Sequence, residues 1–345
     1  DAVFMLFEDI IAFDHLKGTA LVISNVNVNH DSDMEAQFDT AHSRIDIIGE
    51  LLHTDIDYQT PVKVAQSRVL SNLDQNTFEA AVLKAKEYIR DGEIFQLVLS
   101  QCFQRQTTVK PETLYRALRT INPSPYMFHL KLIDFDIIGA SPELLVKVDD
   151  GTVEIRPIAG TRHRGNTEAE DIALAENLIN DEKECAEHLM LLDLGRNDVG
   201  RVSEFGSVTV PENMVIENYS HVMHIVSDVK GKLANDKDSF DALISGFPAG
   251  TVTGAPKIRA MEIIHELEPD RRDVYSGAVG YFDFAGNVNT CIAIRTMIMK
   301  DQTVYFQSGA GVVHDSDPTK EYEETVNKAK AVMAAIDFAE NGLTA

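Results

Sequence analysis

Apolar positions in this chain recur first at the spacing of strands. Residues 3–13 and 19–28 are rich in Val, Ile, Leu and Phe and are broken at Asp14-His15-Leu16-Lys17-Gly18, which predicts two strands and a turn. From Met34 to Leu52 the spacing becomes helical, with Ala41, Ile45, Ile48 and Leu52 on one stripe. A second helix is predicted to open at Asn76, where Glu79 three residues on completes a capping box. It carries Phe78, Val82, Ala85 and Ile89 on one face and stops at Asp91-Gly92. IFQLVLSQCF then reads as a buried strand, and Pro111 opens a short helix that ends before Asn122-Pro123-Ser124-Pro125.

From 126 to 158 short strands alternate with turns such as Asp149-Asp150-Gly151. The longest helical signal follows, over about 168–194. Beyond it the pattern predicts a helix over 256–267 and strands over 275–284 and 287–299, joined by Ala285-Gly286. A last strand over 304–308 leads through Gly309-Ala310-Gly311 to a closing helix over 319–338. Hairpins outnumber strand–helix–strand units, so the expected class is α+β, with antiparallel-rich sheets flanked by helices. With no repeat, low-complexity tract or linker, one large domain over 1–345 is the economical reading. Its core runs over about 76–340, and 1–75 is the remnant of an N-terminal region.

Composition narrows the function. The 345 residues are 44% hydrophobic and 25% charged, enough to bury a substantial core. No apolar run approaches the roughly 20 residues that span a bilayer, and DAVFMLFEDI carries no basic flank. The net charge of −24 argues against nucleic acid or an acidic membrane as partner, while leaving room for small anions held by a few cations. Cys102, Cys185 and Cys291 are odd in number and widely spaced, as free thiols of a reducing, cytoplasmic compartment are. The chain opens inside an apolar stretch without an initiator Met, which points to further sequence on its N-terminal side.

Candidate chemistry is concentrated in a few places. Glu184 and Glu187 lie three apart in one predicted helix, and Glu321 and Glu324 three apart in another, so each pair shares a helix face. Two such faces set opposite each other suit a hard divalent cation such as Mg²⁺; spacing alone equally fits ordinary solvated charge. Three glycine-rich turns, at 158–161, 247–257 and 308–311, expose backbone N–H groups beside small side chains. The middle one runs into a helix N-terminus, a favourable place for an anion. None matches a nucleotide-binding fingerprint. His221 and His224 fall on opposite faces of a strand, so a shared metal is disfavoured, and each reads as a structural or an acid–base histidine. Arg295, inside apolar CIAIRTMIM, needs a carboxylate from the protein or from a substrate.

Taken in order, these stretches resemble the chorismate-utilising enzymes, and within them the anthranilate synthase branch. The matching segments are IFQLVLSQ, NPSPYMF, GASPELL, RPIAGTRHRG, DEKECAEHLMLLDLGRNDVGRV, HVMH, GFPAGTVTGAPKIRAMEII, YSGAVGYFDF, IAIRT, SGAGVVHDSDP and EYEETVNKAKA, from about Gly92 to Ala334. The resemblance implies that chorismate and ammonia, supplied by a glutamine amidotransferase subunit, become anthranilate and pyruvate in tryptophan biosynthesis. It implies a catalytic set of His224, Glu143, Gln96 and Thr251. Glu143 protonates the departing 4-hydroxyl, and His224 serves the loss of pyruvate. Glu187 and Glu324 match direct Mg²⁺ ligands, with Glu184 and Glu321 close behind. Arg295 and Tyr275 match contacts to the enolpyruvyl carboxylate, helped by the backbone of Gly309, Ala310 and Gly311. Lys328 lies near the ring carboxylate, and Gly160 and Thr161 line the pocket beside Thr251.

The branch rests on two positions. Water-using relatives carry a lysine base where this chain has Gln96, and aminodeoxychorismate synthases typically carry a nucleophilic lysine where it has Ala159. Aminodeoxychorismate synthase is the rival enzyme, and a silent chorismate-binding fragment the rival of another class. Cys185 stands where the family often has arginine, which removes a charge partner of Glu184. The family's tryptophan inhibitor sits between an N-terminal segment and the loop holding Asn122, Pro123, Pro125, Tyr126 and Met127. Only the loop is present here, so that site is expected to be incomplete.

Overall fold

A computed structural model describes residues 2–55, 61–219 and 222–344 and divides the chain into two compact units, Asp1–Thr60 and Pro61–Ala345. His221 lies outside the described residues. In the first unit β1 (Asp9–Asp14) and β2 (Thr19–Ser24) form an antiparallel hairpin that turns at Gly18, whose φ of 65° suits glycine. Helix α1 (Met34–Leu52) begins where Asp33 accepts from the Glu35 and Ala36 amides. Arg44 joins it to the hairpin through Glu8, at 2.8 Å, and the Asn25 carbonyl, at 2.6 Å.

The second unit opens with β3 (Leu70–Ser71) and α2 (Gln75–Arg90). Asp74, not Asn76, caps α2 by accepting from the Thr77 amide at 2.8 Å. Glu79 is no box partner; it accepts from Gln75 and from Thr319, each at 2.8 Å. Then come β4 (Gln96–Gln106), α3 (Pro111–Ile121), β5 (Tyr126–Lys131), β6 (Asp136–Ser141), β7 (Leu144–Asp149), β8 (Thr152–Ile155) and β9 (Ile158–His163). The predicted helix over 168–194 is two, α4 (Glu168–Ile179) and α5 (Glu182–Gly200). The side chain of Asp181 accepts from the Lys183 and Glu184 amides and so restarts the helix, a cap that the unbroken apolar pattern concealed. β10 (Thr209–Asn218), β11 (Val222–Lys232), α6 (Ser239–Gly246), a 3₁₀ turn (Gly250–Val252), β12 (Gly254–Ala255) and α7 (Lys257–Leu267) follow. The chain ends with β13 (Ala278–Phe282), β14 (Val288–Ile292), β15 (Thr296–Lys300), β16 (Thr303–Val312) and α8 (Pro318–Glu340).

Two seven-stranded sheets result, and every described strand pair is antiparallel, as the hairpin count predicts. One runs β12-β4-β16-β15-β6-β5, with β3 also on β4; the other runs β10-β11-β8-β7-β14-β13, with β9 also on β11. Helices α2, α3, α7 and α8 pack on the first sheet, and α4, α5 and α6 on the second. Each sheet has its own core. Phe103, Leu118, Ile138, Met297 and Ile336 pack on the first, and Val146, Leu192, Val199 and Val229 on the second.

The chain steps between sheets at the positions that matter most. β6 leaves the first sheet and β7 enters the second across Pro142 and Glu143. β14 leaves the second and β15 enters the first across Ala293, Ile294 and Arg295, so the predicted strand over 287–299 is broken. The two crossovers run side by side, because Ile292 N–H donates to the Glu143 carbonyl at 3.1 Å and Ala140 N–H to that of Arg295 at 3.2 Å. Arg295 turns the chain with φ of 49°, a left-handed conformation unfavourable for a residue with a Cβ.

Candidate active site

Thr251 reaches the first crossover from the 3₁₀ turn, its hydroxyl donating to Glu143 Oε2 at 3.1 Å. Burial pushes the Glu143 carboxyl up, against the Thr251 hydrogen bond and the charges of Lys328 and Arg295, which pull it down. A carboxyl whose pKa is raised by burial is better suited to donate a proton. At the second crossover, Arg295 makes no ion pair or side-chain hydrogen bond within the described protein. Burial lowers its guanidinium pKa while Glu143 opposes that shift. Such a cation is held ready for an anionic group of a ligand.

His224 stands on β11 opposite Thr161 of β9 and Glu217 of β10. Its Nδ1 lies 3.0 Å from the Gly160 carbonyl and 3.1 Å from the Thr161 hydroxyl, and the Tyr219 ring meets it edge-on at 5.5 Å. Because a carbonyl can only accept, Nδ1 carries the proton and Nε2 is left free as a base. Burial, aided by Arg295, moves the imidazole pKa down, so it is neutral near pH 7; the Gly160 hydrogen bond and Glu217 act in the other direction. Gly160 is no turn. It is a kink within β9, with φ of 69°, where a Cβ would press to 3.2 Å on Glu184 Oε2, Ile225 and Leu178. The neighbouring Ala159 is buried against β11.

Gly309, Ala310 and Gly311 likewise lie inside a strand, paired with Ser100, Leu99 and Val98. They are small because the site is crowded there. A Cβ on Gly309 would stand 2.8 Å from the Tyr275 hydroxyl, and one on Gly311 2.8 Å from Gln96 Nε2. Burial raises the Tyr275 hydroxyl pKa far above its ordinary value, which keeps it a neutral hydrogen-bond donor.

Gln96, 3% exposed, donates to Glu187 Oε1 at 3.1 Å, while its own buried Oε1 has no partner among the described residues. Burial raises the pKa of Glu187, and Glu184 and Glu324 add to the rise, so α5 and α8 do present carboxylates to each other. Burial raises Glu321 as well, with Glu324 contributing. Lys328 reaches Glu324 at 2.7 Å and the Gly309 carbonyl at 3.0 Å. Among the described residues, no three His, Cys, Asp or Glu side chains converge into a closed cage. Crowded carboxylates of this kind fit a cation that takes few protein ligands and completes its shell with water and an anion.

Sequence reasoning missed Arg162. It holds Glu184 at 3.0 Å and Asp181 at 2.8 Å, and so supplies the charge partner that Cys185 does not. It stands in RPIAGTRHRG, but its strand position gave no cue that it reaches α5. Asn122 ends α3 with a buried Nδ2 that has no partner among the described residues, and Tyr126 and Met127 pair with Ser141 and Ala140. The Asn122–Met127 loop therefore leads into β5, which pairs with the end of β6 that precedes Glu143.

A buried carboxyl, an imidazole with its pKa lowered, a free guanidinium and opposed carboxylate pairs, set between two antiparallel sheets, make a candidate enzyme site suited to a small polyanion. The sequence profile of the chorismate binding enzymes matches residues 1–334, and the chain belongs to that family. It is 52% identical to anthranilate synthase component 1 of Acetivibrio thermocellus, over 97% of this chain and 69% of that protein. The crystal structure of anthranilate synthase component I from Streptococcus pneumoniae superposes with a TM-score of 0.85 at 43% identity, covering 94% of this chain and 72% of that one. A putative 2,3-dihydroxybenzoate-specific isochorismate synthase from Bacillus anthracis reaches 0.70 at 27%, covering 81% and 76%.

Proposed function

We propose that this chain is the catalytic component of an anthranilate synthase, converting chorismate and ammonia to anthranilate and pyruvate. The observation that carries the reading is the trio formed where the sheets meet: Glu143, whose carboxyl pKa burial raises, Arg295, without a side-chain partner among the described residues, and His224, whose imidazole pKa burial lowers. Hydroxide leaves poorly, so Glu143 delivers a proton to the 4-hydroxyl of chorismate as ammonia attacks the ring. Arg295, with Tyr275 and the Gly309–Gly311 backbone, holds the enolpyruvyl carboxylate. His224 Nε2 then takes a proton as pyruvate leaves and the ring becomes aromatic. Glu187 and Glu324, backed by Glu184 and Glu321, would hold Mg²⁺, which supplies positive charge for the ring carboxylate beside Lys328.

Two positions support amination with loss of pyruvate over the rival outcomes. Gln96 is an amide and cannot activate water as a lysine base would, and the Ala159 methyl cannot form a covalent adduct. The catalytic core occupies about 76–340, ammonia comes from a glutamine amidotransferase partner, and the protein works in the cytoplasm. Three free cysteines accord with that compartment, and no described helix is long and apolar enough to cross a membrane.

The test is anthranilate fluorescence from chorismate, ammonium and Mg²⁺ at mildly alkaline pH, with Glu324→Ala and a metal-free sample beside it. Signal in the complete mixture alone supports reaction, metal and site together. An end product that keeps its enolpyruvyl group by mass and carries its amine at ring position 4 by NMR would assign aminodeoxychorismate synthesis. A folded protein that binds chorismate without converting it would be the silent chorismate-binding fragment.

A further inference from the structure

We propose that Arg272, which touches no substrate, is the positioning residue that aims Tyr275 into the pocket; this rests on the chorismate reading above. Arg272 stands in the charged stretch EPDRRD, which reads as exposed surface, yet its side chain is only 12% exposed and that of its partner Glu268 5%. All three of its nitrogens donate. Nε donates to Glu268 Oε2 at 2.8 Å, Nη1 to the Val252 carbonyl at 2.6 Å, and Nη2 to the Val98 carbonyl at 2.6 Å. The guanidinium also lies over the Tyr275 ring, 5.5 Å from its centroid, and the Arg272 carbonyl accepts from the Tyr275 amide at 2.9 Å.

Each of these bonds ends on a different wall of the site. Val252 follows Thr251 in the 3₁₀ turn, and Val98 lies two residues from Gln96 and pairs with Gly311. Glu268 is fixed in turn, accepting from the Ser100 amide at 2.8 Å and hydroxyl at 2.7 Å, and Gln307 donates to that hydroxyl at 2.8 Å. A planar cation with five donors can bond two carbonyls and a carboxylate while stacking on a ring, and an ammonium cannot. A pocket open to solvent is lined by Cys102, Arg272, Tyr275, Tyr305 and Gln307 among others. With its guanidinium fixed 5.5 Å from the ring centroid, Arg272 limits where the Tyr275 ring can go and so keeps its hydroxyl beside Gly309.

The experiment is a double-mutant cycle on chorismate kinetics with Arg272→Lys and Tyr275→Phe. Arg272→Lys is expected to raise KM for chorismate about tenfold while kcat changes less than about threefold. In the Tyr275→Phe background the same change is expected to add less than about twofold, because its target is already gone. Multiplying effects, or an unchanged KM in folded Arg272→Lys, would overturn the proposal. Glu268→Gln, which loosens the clamp and keeps the arginine, should shift KM in the same direction if Arg272→Lys does not fold. A ring-fluorinated tyrosine at position 275 adds a readout that needs no turnover. Its fluorine signal should be a single line in the parent and broaden or split in the Arg272→Lys or Glu268→Gln protein. If the parent makes no anthranilate, the reaction reading falls, and an unchanged fluorine line would overturn the positioning role separately.

Discussion

The Gly160 carbonyl oxygen lies 3.0 Å from His224 Nδ1, and that contact decides which imidazole nitrogen can act. The strand kinks at Gly160 with φ of 69°, and it is beside this kink that the carbonyl meets the ring. His224→Ala is therefore expected to lower anthranilate formation by about 100-fold or more, within the range for losing a general base. Aminated product that retains pyruvate should accumulate, and mass analysis would detect it. In the parent, burial holds the imidazole pKa below its ordinary 6.5, so the base form persists as pH falls and is lost only below that value. A pH–rate profile for kcat whose acidic limb lies above 6.5 and disappears in another histidine's variant would contradict this assignment.

Gly309→Ala is expected to act through Tyr275. The new Cβ would meet the Tyr275 hydroxyl at 2.8 Å and the Leu99 carbonyl at 2.9 Å, so one of them must give way. Overpacking of this kind destabilises by about 1–3 kcal/mol. The KM for chorismate should rise with it, since the displaced hydroxyl is the one proposed to hold the enolpyruvyl carboxylate. Steady-state kinetics beside thermal melting separate the two effects.

Arg295 is expected to trade stability for activity. Its unpaired guanidinium is partly buried and its φ is 49°, both unfavourable to the folded state. Arg295→Gly removes the charge and relieves a backbone strain of about 1–2 kcal/mol, so the unfolding midpoint should rise. Chorismate turnover should fall by about 100-fold or more, the usual scale for losing a buried charge-assisted contact. A melting curve and kcat/KM on the same preparation check both signs.

His188 gives the fold a pH limit of its own. It is fully buried on α5, with Nε2 2.7 Å from the Ser227 hydroxyl, and burial pushes its pKa down to about 4. The folded value lies below the unfolded one, so the contribution is complete above about pH 6.5 and drains away as pH falls towards 4. The loss amounts to roughly 3 kcal/mol across that window. Urea unfolding at several pH values should show the slope, and His188→Gln, which keeps a donor towards Ser227, should flatten it.

Much of this was legible in the chain. The stripe from Met34 to Leu52 and the Pro111 start both appear as helices with those bounds, because each combines an apolar period with a local stop or start signal. The Asp181 restart was hidden, since the apolar run continues through a cap that only the backbone reveals. Arg295 read as a charge within a strand because Ile292 and Met297 flank it with unbroken apolar sequence. That one neighbour belongs to each sheet is a long-range fact. Glu184 and Glu187 announced themselves by spacing and family motif, whereas Arg162 and Arg272 did not. An arginine used by a partner distant in sequence looks the same as one on the surface.

The side-by-side crossovers at Glu143 and Arg295 have a mechanical meaning. Glu143, the proposed proton donor, and Arg295, the proposed anion anchor, lie on the two links by which the chain passes from one sheet to the other. Because those links are hydrogen-bonded to each other, the way the two layers are set bears on where both residues stand. Selection for reaction geometry at those two residues is thus also selection on how the sheets are set, and a mutation deep in either core can be a kinetic mutation.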